Sequence, residues 1–273
     1  MPESLVAGLT GVKPMIDAAR DTRDSLRALG LADYDLVAYE GGPSGYYVPG
    51  TGTDSQVRVS QRYGKSQALA ARTLDTWLMA AQAGFVSQQY YAFASGENWT
   101  SHTMPLMGGF RRHAGWLALM LHNRVLAGGR FMRAEADTLP AYTREGEELP
   151  LIGVYALDFS DRVALVAINR AVPGNHDGSD FGTAVIPVKI GLPPGRYGAV
   201  RLHAVFRGDG GFPESGDSNL AYPLLSLGTK PLSGEFAVDG PDSGPALIVN
   251  DQTGALPGGM PPGSVLVYTV EKR

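Results

Sequence analysis

Along the first half of the chain, apolar residues recur every three or four positions, the spacing of one face of a helix. Met15, Ile16, Ala19, Leu26 and Leu29 predict a helix over about 14–29. Pro14 suits its first turn and Gly30 its stop. Leu69, Ala70, Thr73, Leu74, Trp77, Leu78 and Ala81 predict a second helix, closed by Gly84. Ala114, Leu117, Leu121 and Val125 predict a third over about 110–126, closed by Gly128-Gly129. Short apolar strands alternate with these helices. Leu36 to Tyr39 runs into Glu40-Gly41-Gly42, and the aromatic stretch from Phe85 to Ala94 runs into the loop Ser95–Thr100.

From Arg130 the period drops to two, the alternation of a strand. Val154–Phe159 and Arg162–Asn169 flank Ser160-Asp161 as a hairpin. Further strands are expected at Val185–Ile190, Ala199–Phe206, Gly234–Val238, Ala246–Val249 and Val265–Val270. Pro193-Pro194-Gly195 and Pro261-Pro262-Gly263 punctuate them. Repeated short strands with turn signals argue for an antiparallel β-sandwich. The expected organisation is therefore α/β followed by all-β, with residues 1–128 as one region and 129–273 as the other.

Composition narrows the chemistry. Of 273 residues 44% are hydrophobic and 18% charged, enough for a buried core. The net charge of −4 offers no surplus of cations for nucleic acid or an anionic membrane. No apolar run is long enough for a membrane-spanning helix, and residues 1–15 lack the pattern of a secretory signal. With no cysteine, thiolate catalysis and Cys-ligated metals are excluded. No His-x-x-x-His pair occurs, and the spacing of Asp158, Asp161, Asp177 and Asp180 does not match a calcium loop. No glycine-rich phosphate motif joins a strand to a helix. Neither a metal nor an organic cofactor is expected.

Two carboxylates carry the candidate chemistry. Glu40 stands where an apolar strand meets Gly-Gly, and in a parallel α/β layout the C-terminal strand ends face the ligand. Its other reading is a strand-end carboxylate paired with an arginine. Glu97 follows the next strand, beside Gly96, and is either its acid/base partner or a solvated loop residue. Tyr46, Tyr47, Tyr90, Tyr91 and Trp99 flank these positions. Aromatic faces beside carboxylates suit sugar rings, although one of Tyr90 and Tyr91 is expected to face the core. His102 follows closely after Glu97 and is a candidate for orienting a ligand; His113 and His122 read as structural helix residues.

The order of these elements, with Tyr39-Glu40-Gly41-Gly42 at a strand end and the strand Val163–Arg170 later, resembles the C-terminal portion of a clan A retaining glycoside hydrolase. Pro261-Pro262-Gly263-Ser264-Val265 supports the same resemblance. It implies a partial (β/α)8 barrel, about strands 7–8 and helices 6–8, followed by a β-sandwich. It implies Glu40 as the nucleophile, Tyr39, Tyr46, Glu97, Trp99 and His102 as substrate-facing residues, and an oligo- or polysaccharide as partner. Relatives of this kind are often exported. In such enzymes the acid/base Glu follows an Asn well upstream of the nucleophile, and here only 39 residues precede Glu40, with no Asn-Glu among them. A barrel needs about 250 residues, about twice what precedes Gly128. The chain is therefore expected to be incomplete, with the N-terminal barrel half upstream and little activity alone. Two alternatives stand beside this one: a noncatalytic carbohydrate-binding or accessory sandwich, and a half-barrel that assembles with a partner chain.

Overall fold

The computed structural model describes residues 8–31, 34–41, 67–90, 103–106, 109–112, 114–134, 141–144, 146–170, 188–192, 196–207, 225–232, 234–238, 245–249, 263 and 265–273. A π-helical turn, Gly8–Val12, leads into helix α1, Lys13–Ala28. Pro14 sits in the first turn of α1, where its missing N–H costs nothing. Of the expected apolar face only Ile16 is buried; Met15 and Leu29 are exposed. Lys13 and Arg20 both pair with Asp17 on the solvent side, at spacings that bring the side chains together.

Strand β1 spans Leu36–Gly41, so Glu40 lies within the strand rather than after it. Helix α2, Gln67–Gln82, is buried almost all round from Leu69 to Asp75. It ends at Gly84, whose φ of 91° a side-chain-bearing residue rarely adopts. Strand β2, Phe85–Tyr90, pairs in parallel with β1, Ala38 opposite Gln88 and Gly41 opposite Tyr90. The register slips by one at Val86, which is exposed.

The third helix begins later than its periodicity suggests. Gly109–Arg112 is a strand, β4, hairpinned to β3, Thr103–Leu106. Helix α3 then runs Ala114–Leu121 and continues as a π-helical turn, His122–Leu126. Ala114, Leu117, Leu121 and Val125 are all buried, as their spacing predicts.

The remaining strands are β5 (Arg130–Met132), β6 (Ala141–Arg144), β7 (Glu147–Pro150), β8 (Ile152–Asp158), β9 (Arg162–Asn169), β10 (Val188–Gly191), β11 (Tyr197–Arg207), β12 (Leu225–Leu232), β13 (Gly234–Val238), β14 (Pro245–Val249) and β15 (Val265–Lys272). Six form one antiparallel sheet in the order β12-β11-β15-β9-β8-β5. Strands β10-β14-β13 form a second antiparallel sheet, and β6-β7 a hairpin. The β8–β9 hairpin turns at Ser160-Asp161 with Asp158 opposite Val163.

Strands β8, β9, β11 and β15 of the six-stranded sheet bury apolar residues on both faces, which the alternation of the strands explains. On one face Tyr155, Leu157, Ala164, Val166, Ile168, Val205, Val265 and Val267 share a single apolar core with Leu69, Leu74 and Leu78 of α2 and Leu117 and Leu121 of α3. On the other face Val163, Val200, Leu202, Leu266, Tyr268 and Val270 form a second cluster. Leu192, the residue after β10, joins it. The helices thus sit on the sheet through a continuous apolar layer, with Gly128-Gly129 as the short turn between α3 and β5.

Candidate functional site

The site expected from the sequence lies at the C-terminal ends of β1 and β2. Because the two strands are parallel, the chain leaves both at the same end. Glu40 is the penultimate residue of β1. Tyr39 beside it is 78% exposed. A Cβ on Gly41 would lie 3.3 Å from the Gln89 carbonyl oxygen, so the small residue after Glu40 lets the two backbones close up. Tyr46, Glu97, Trp99 and His102 fall outside the described residues, and so do Tyr47 and Tyr91. Among the described residues, no group of three or more His, Asp or Glu is placed to hold a metal ion. Among them, too, no helix is long and apolar enough to cross a membrane.

Strand β2 is gripped from α2. Gln88 Nε2 donates to the Trp77 carbonyl at 2.9 Å. The Tyr90 hydroxyl lies 3.5 Å from Thr73 Oγ1 and packs over Gly115, where a Cβ would come within 2.5 Å of it. Tyr90 therefore faces inward, the core-facing role expected of one of the two adjacent tyrosines. The imidazole of His122 rests against the Trp77 ring, the centroids 5.6 Å apart, and burial lowers its pKa.

Two turns along α2 from its start is a residue that hydrophobic spacing does not reveal. Asp75 is 3% exposed at its side chain, and Arg170, at the end of β9, is 6% exposed. Arg170 grips both carboxylate oxygens, Nε to Oδ2 at 2.7 Å and Nη2 to Oδ1 at 2.8 Å. The Tyr155 hydroxyl of β8 donates to Oδ1 at 2.6 Å, and Arg170 Nη1 donates to the Pro150 carbonyl at 3.0 Å. Gly153 leaves the space: a Cβ there would stand 2.7 Å from Arg170 Nη2. Burial, and then the negative charge of Asp75, push the Tyr155 hydroxyl well above the usual tyrosine value. Burial works against the Arg170 charge, but the attraction of Asp75 outweighs it and the guanidinium is held above its ordinary value. An acidic residue in the mostly apolar stretch Leu74–Ala81 was the available signal, and it points to a partner, since unpaired buried charge is costly.

A second polar cluster lies on the helix-facing side of the sheet. His203 Nε2 is 3.0 Å from Thr269 Oγ1. Arg162 donates to the Val125 carbonyl at 3.2 Å and covers the Phe159 ring. Burial first, then the charges of Arg201 and Arg162, lower the His203 pKa.

No protein-family model matches the chain, and no curated protein sequence does. Its fold is matched among solved structures. An α-L-arabinofuranosidase from Thermotoga maritima, solved with arabinose, superposes with a TM-score of 0.57 at 14% identity, covering 98% of this chain and 49% of its own. A GH51 arabinofuranosidase from Xanthomonas axonopodis pv. citri scores 0.49 at 12% identity, over 86% of this chain and 41% of that one. A monomeric β-xylosidase from Caulobacter crescentus CB15 scores 0.48 at 17% identity, over 100% of this chain and 50% of that one. The first carries the comparison of fold. The fold is therefore glycosidase-like, with helices and sheets arranged as in about half of that α-L-arabinofuranosidase. The chain spans about half the length of the solved structures it matches.

Proposed function

We propose that this chain is the C-terminal portion of a retaining glycoside hydrolase, with Glu40 as its nucleophile. The observation that carries the reading is the parallel pairing of β1 and β2, Gly41 opposite Tyr90, within a glycosidase-like fold. In such folds the C-terminal strand ends form the substrate face. Residues 1–128 then correspond to about the last two strands of a (β/α)8 barrel with helices six to eight, and residues 129–273 to a β-sandwich.

In this reading the Glu40 carboxylate attacks the anomeric carbon of a glycoside. The bond to the leaving oxygen breaks, that oxygen takes a proton from a second carboxyl group, and a glycosyl ester on Glu40 remains. Water then attacks the ester, giving its proton back to the second group and releasing the sugar. The two carboxyl groups must stand about 5–5.5 Å apart. Residues 1–273 offer no Asn-Glu for the second role, so it falls to strands outside them. Support comes from the exposed side chains of Val37, Tyr39 and Val86, because parallel strands are ordinarily covered on both faces. The substrate class is an oligo- or polysaccharide, with Tyr39, Tyr46, Glu97, Trp99 and His102 as the residues expected to face it.

A sugar epoxide or aziridine that esterifies the nucleophile tests the reading. Arabinose- and xylose-configured probes are the first to try, given the neighbours' substrates. An adduct on Glu40 located by mass spectrometry, and lost in Glu40→Gln, is expected. Labelling elsewhere, or equal labelling of Glu40→Gln, refutes it. The genomic sequence upstream of Met1 checks the rest of the reading: an in-frame continuation with strands and an Asn-Glu is expected.

A further inference from the structure

We infer that Asp75, Arg170 and Tyr155 are positioning residues that couple the six-stranded sheet, through α2, to the strand pair carrying Glu40. A contiguous chain of contacts makes the case. At one end, Arg170 closes β9 with its backbone N–H bonded to Leu151 and its guanidinium on the Pro150 carbonyl, so it is fixed to the β7–β8 connection as well as to its own strand. Its fork then takes both oxygens of Asp75, and Tyr155 on the neighbouring strand takes one of them again. A bidentate pair with a third donor fixes both the rotation of α2 about its axis and its sliding along the sheet, which apolar packing alone leaves soft.

Asp75 is flanked on α2 by the two residues that hold β2. Thr73 meets the Tyr90 hydroxyl, and the Trp77 carbonyl accepts from Gln88. Gln88 and Tyr90 are in turn the partners of Ala38 and Gly41 in β1, on either side of Glu40 in sequence. A turn of α2 or a shift along its axis therefore moves the end of β2, and with it the backbone at Glu40. The sheet region serves as a buttress for the α/β layer, a role distinct from carbohydrate binding. Its relevance to catalysis rests on the nucleophile reading of Glu40; the mechanical coupling does not.

The test separates the two. Replacing all three residues by apolar ones of similar bulk, Asp75→Leu, Arg170→Met and Tyr155→Phe, removes the charges together and so avoids leaving one buried and unpaired. Hydrogen exchange followed by mass spectrometry compares peptides covering residues 36–41 and 85–90 with the peptide covering 162–169, in the full chain. The variant is expected to fold cooperatively, with β1–β2 exchange faster by about tenfold or more relative to the sheet peptide. An unchanged ratio overturns the inference, because a merely structural role would speed both alike. If the triple variant does not fold, Arg170→Lys decides in the same way. It keeps the charge but loses the fork, so a raised ratio supports the coupling and an unchanged ratio overturns it. Labelling of Glu40 by the sugar epoxide is read in parallel: failure in the parent chain removes the nucleophile reading and leaves the exchange result standing.

Discussion

Ile168→Ala tests whether the helical layer and the sheet unfold as one body. Ile168 lies on β9 with no exposed surface and belongs to the core shared with α2 and α3. The substitution removes three carbons, about 2.4 kcal/mol of transfer free energy at about 0.8 kcal/mol each. Sealed between a sheet and two helices, the site has little room to collapse, and a residual cavity adds roughly 1 kcal/mol. The expected loss is about 3–4 kcal/mol, inside the range of about 2–5 kcal/mol for such truncations. For a chain of this size each kcal/mol moves the midpoint by about 2 °C, giving a fall of roughly 6–8 °C. All three tryptophans, Trp77, Trp99 and Trp116, precede residue 128, so their fluorescence is emitted from the α/β region, while the mutation is in the sheet. Fluorescence and far-ultraviolet circular dichroism should shift together in one transition. A tryptophan transition left in place while the sheet signal moves would refute the shared core and show two independently folding parts.

Three more expectations follow from the same contacts. Gly115→Ala, which elsewhere on a helix adds stability, should here cost about 1–2 kcal/mol, because the new methyl meets the Tyr90 hydroxyl; chemical denaturation of Gly115→Ala with Tyr90→Phe should recover it. His203 and His122 both have pKa values lowered by burial, so the unfolded chain binds protons more readily; stability should be full above the ordinary value of 6.5, decline as pH falls below it, and level off beneath the folded-state values. Denaturation curves of His122→Asn with His203→Gln should show a flatter profile through that window, and an unaltered slope would exclude both residues as its source. The chain alone should hydrolyse aryl glycosides faster than unactivated oligosaccharides, since a good leaving group replaces acid assistance worth about 10²–10⁴-fold, and Glu40→Gln should abolish that activity. Efficient oligosaccharide turnover lost in Glu97→Gln would instead make Glu97 the acid/base residue.

Much of the fold was legible because local signals agreed with the packing. Leu74 and Leu78 repeat at helical spacing and are buried; Val163 and Val166 sit on opposite faces of β9, as period two requires. The misreadings have physical causes. Phe110 to Arg112 carries no helix breaker, yet pairing with Thr103–Leu106 draws it into a hairpin, and the helix waits for Ala114. Met15 and Leu29 share a helical stripe with Ile16, but α1 touches the core along a narrower line than its sequence suggests. Asp75 escaped because a periodicity argument scores apolar positions and passes over polar ones; its meaning depends on Arg170, 95 residues away in sequence and 2.7 Å away in space. At the candidate site, Glu40 was placed at a strand end by its Gly-Gly, and the parallel register with β2 came only with the structure.

The two kinds of sheet in this chain differ in how far they satisfy themselves. Strands β8, β9, β11 and β15 of the antiparallel sheet bury residues on both faces, one under α2 and α3 and one in a second cluster. The parallel pair is covered on the side of α2, while Val37 and Val86 remain 59% and 63% exposed. Parallel pairing is slightly weaker per residue and depends on cover from both sides. Among the described residues, strand β1 is held by its ladder to β2, by contacts with α1, and through β2 by the grip of Thr73 and Trp77. On the proposed reading of Glu40, its carboxylate tolerates misplacement of only a fraction of an ångström before the rate falls. Apolar burial cannot supply that precision at an open strand pair, but directional bonds to a well-packed sheet can. On that proposal a charged pair stands in a largely apolar helix–sheet interface for positioning, where greasy residues of equal bulk would satisfy stability alone.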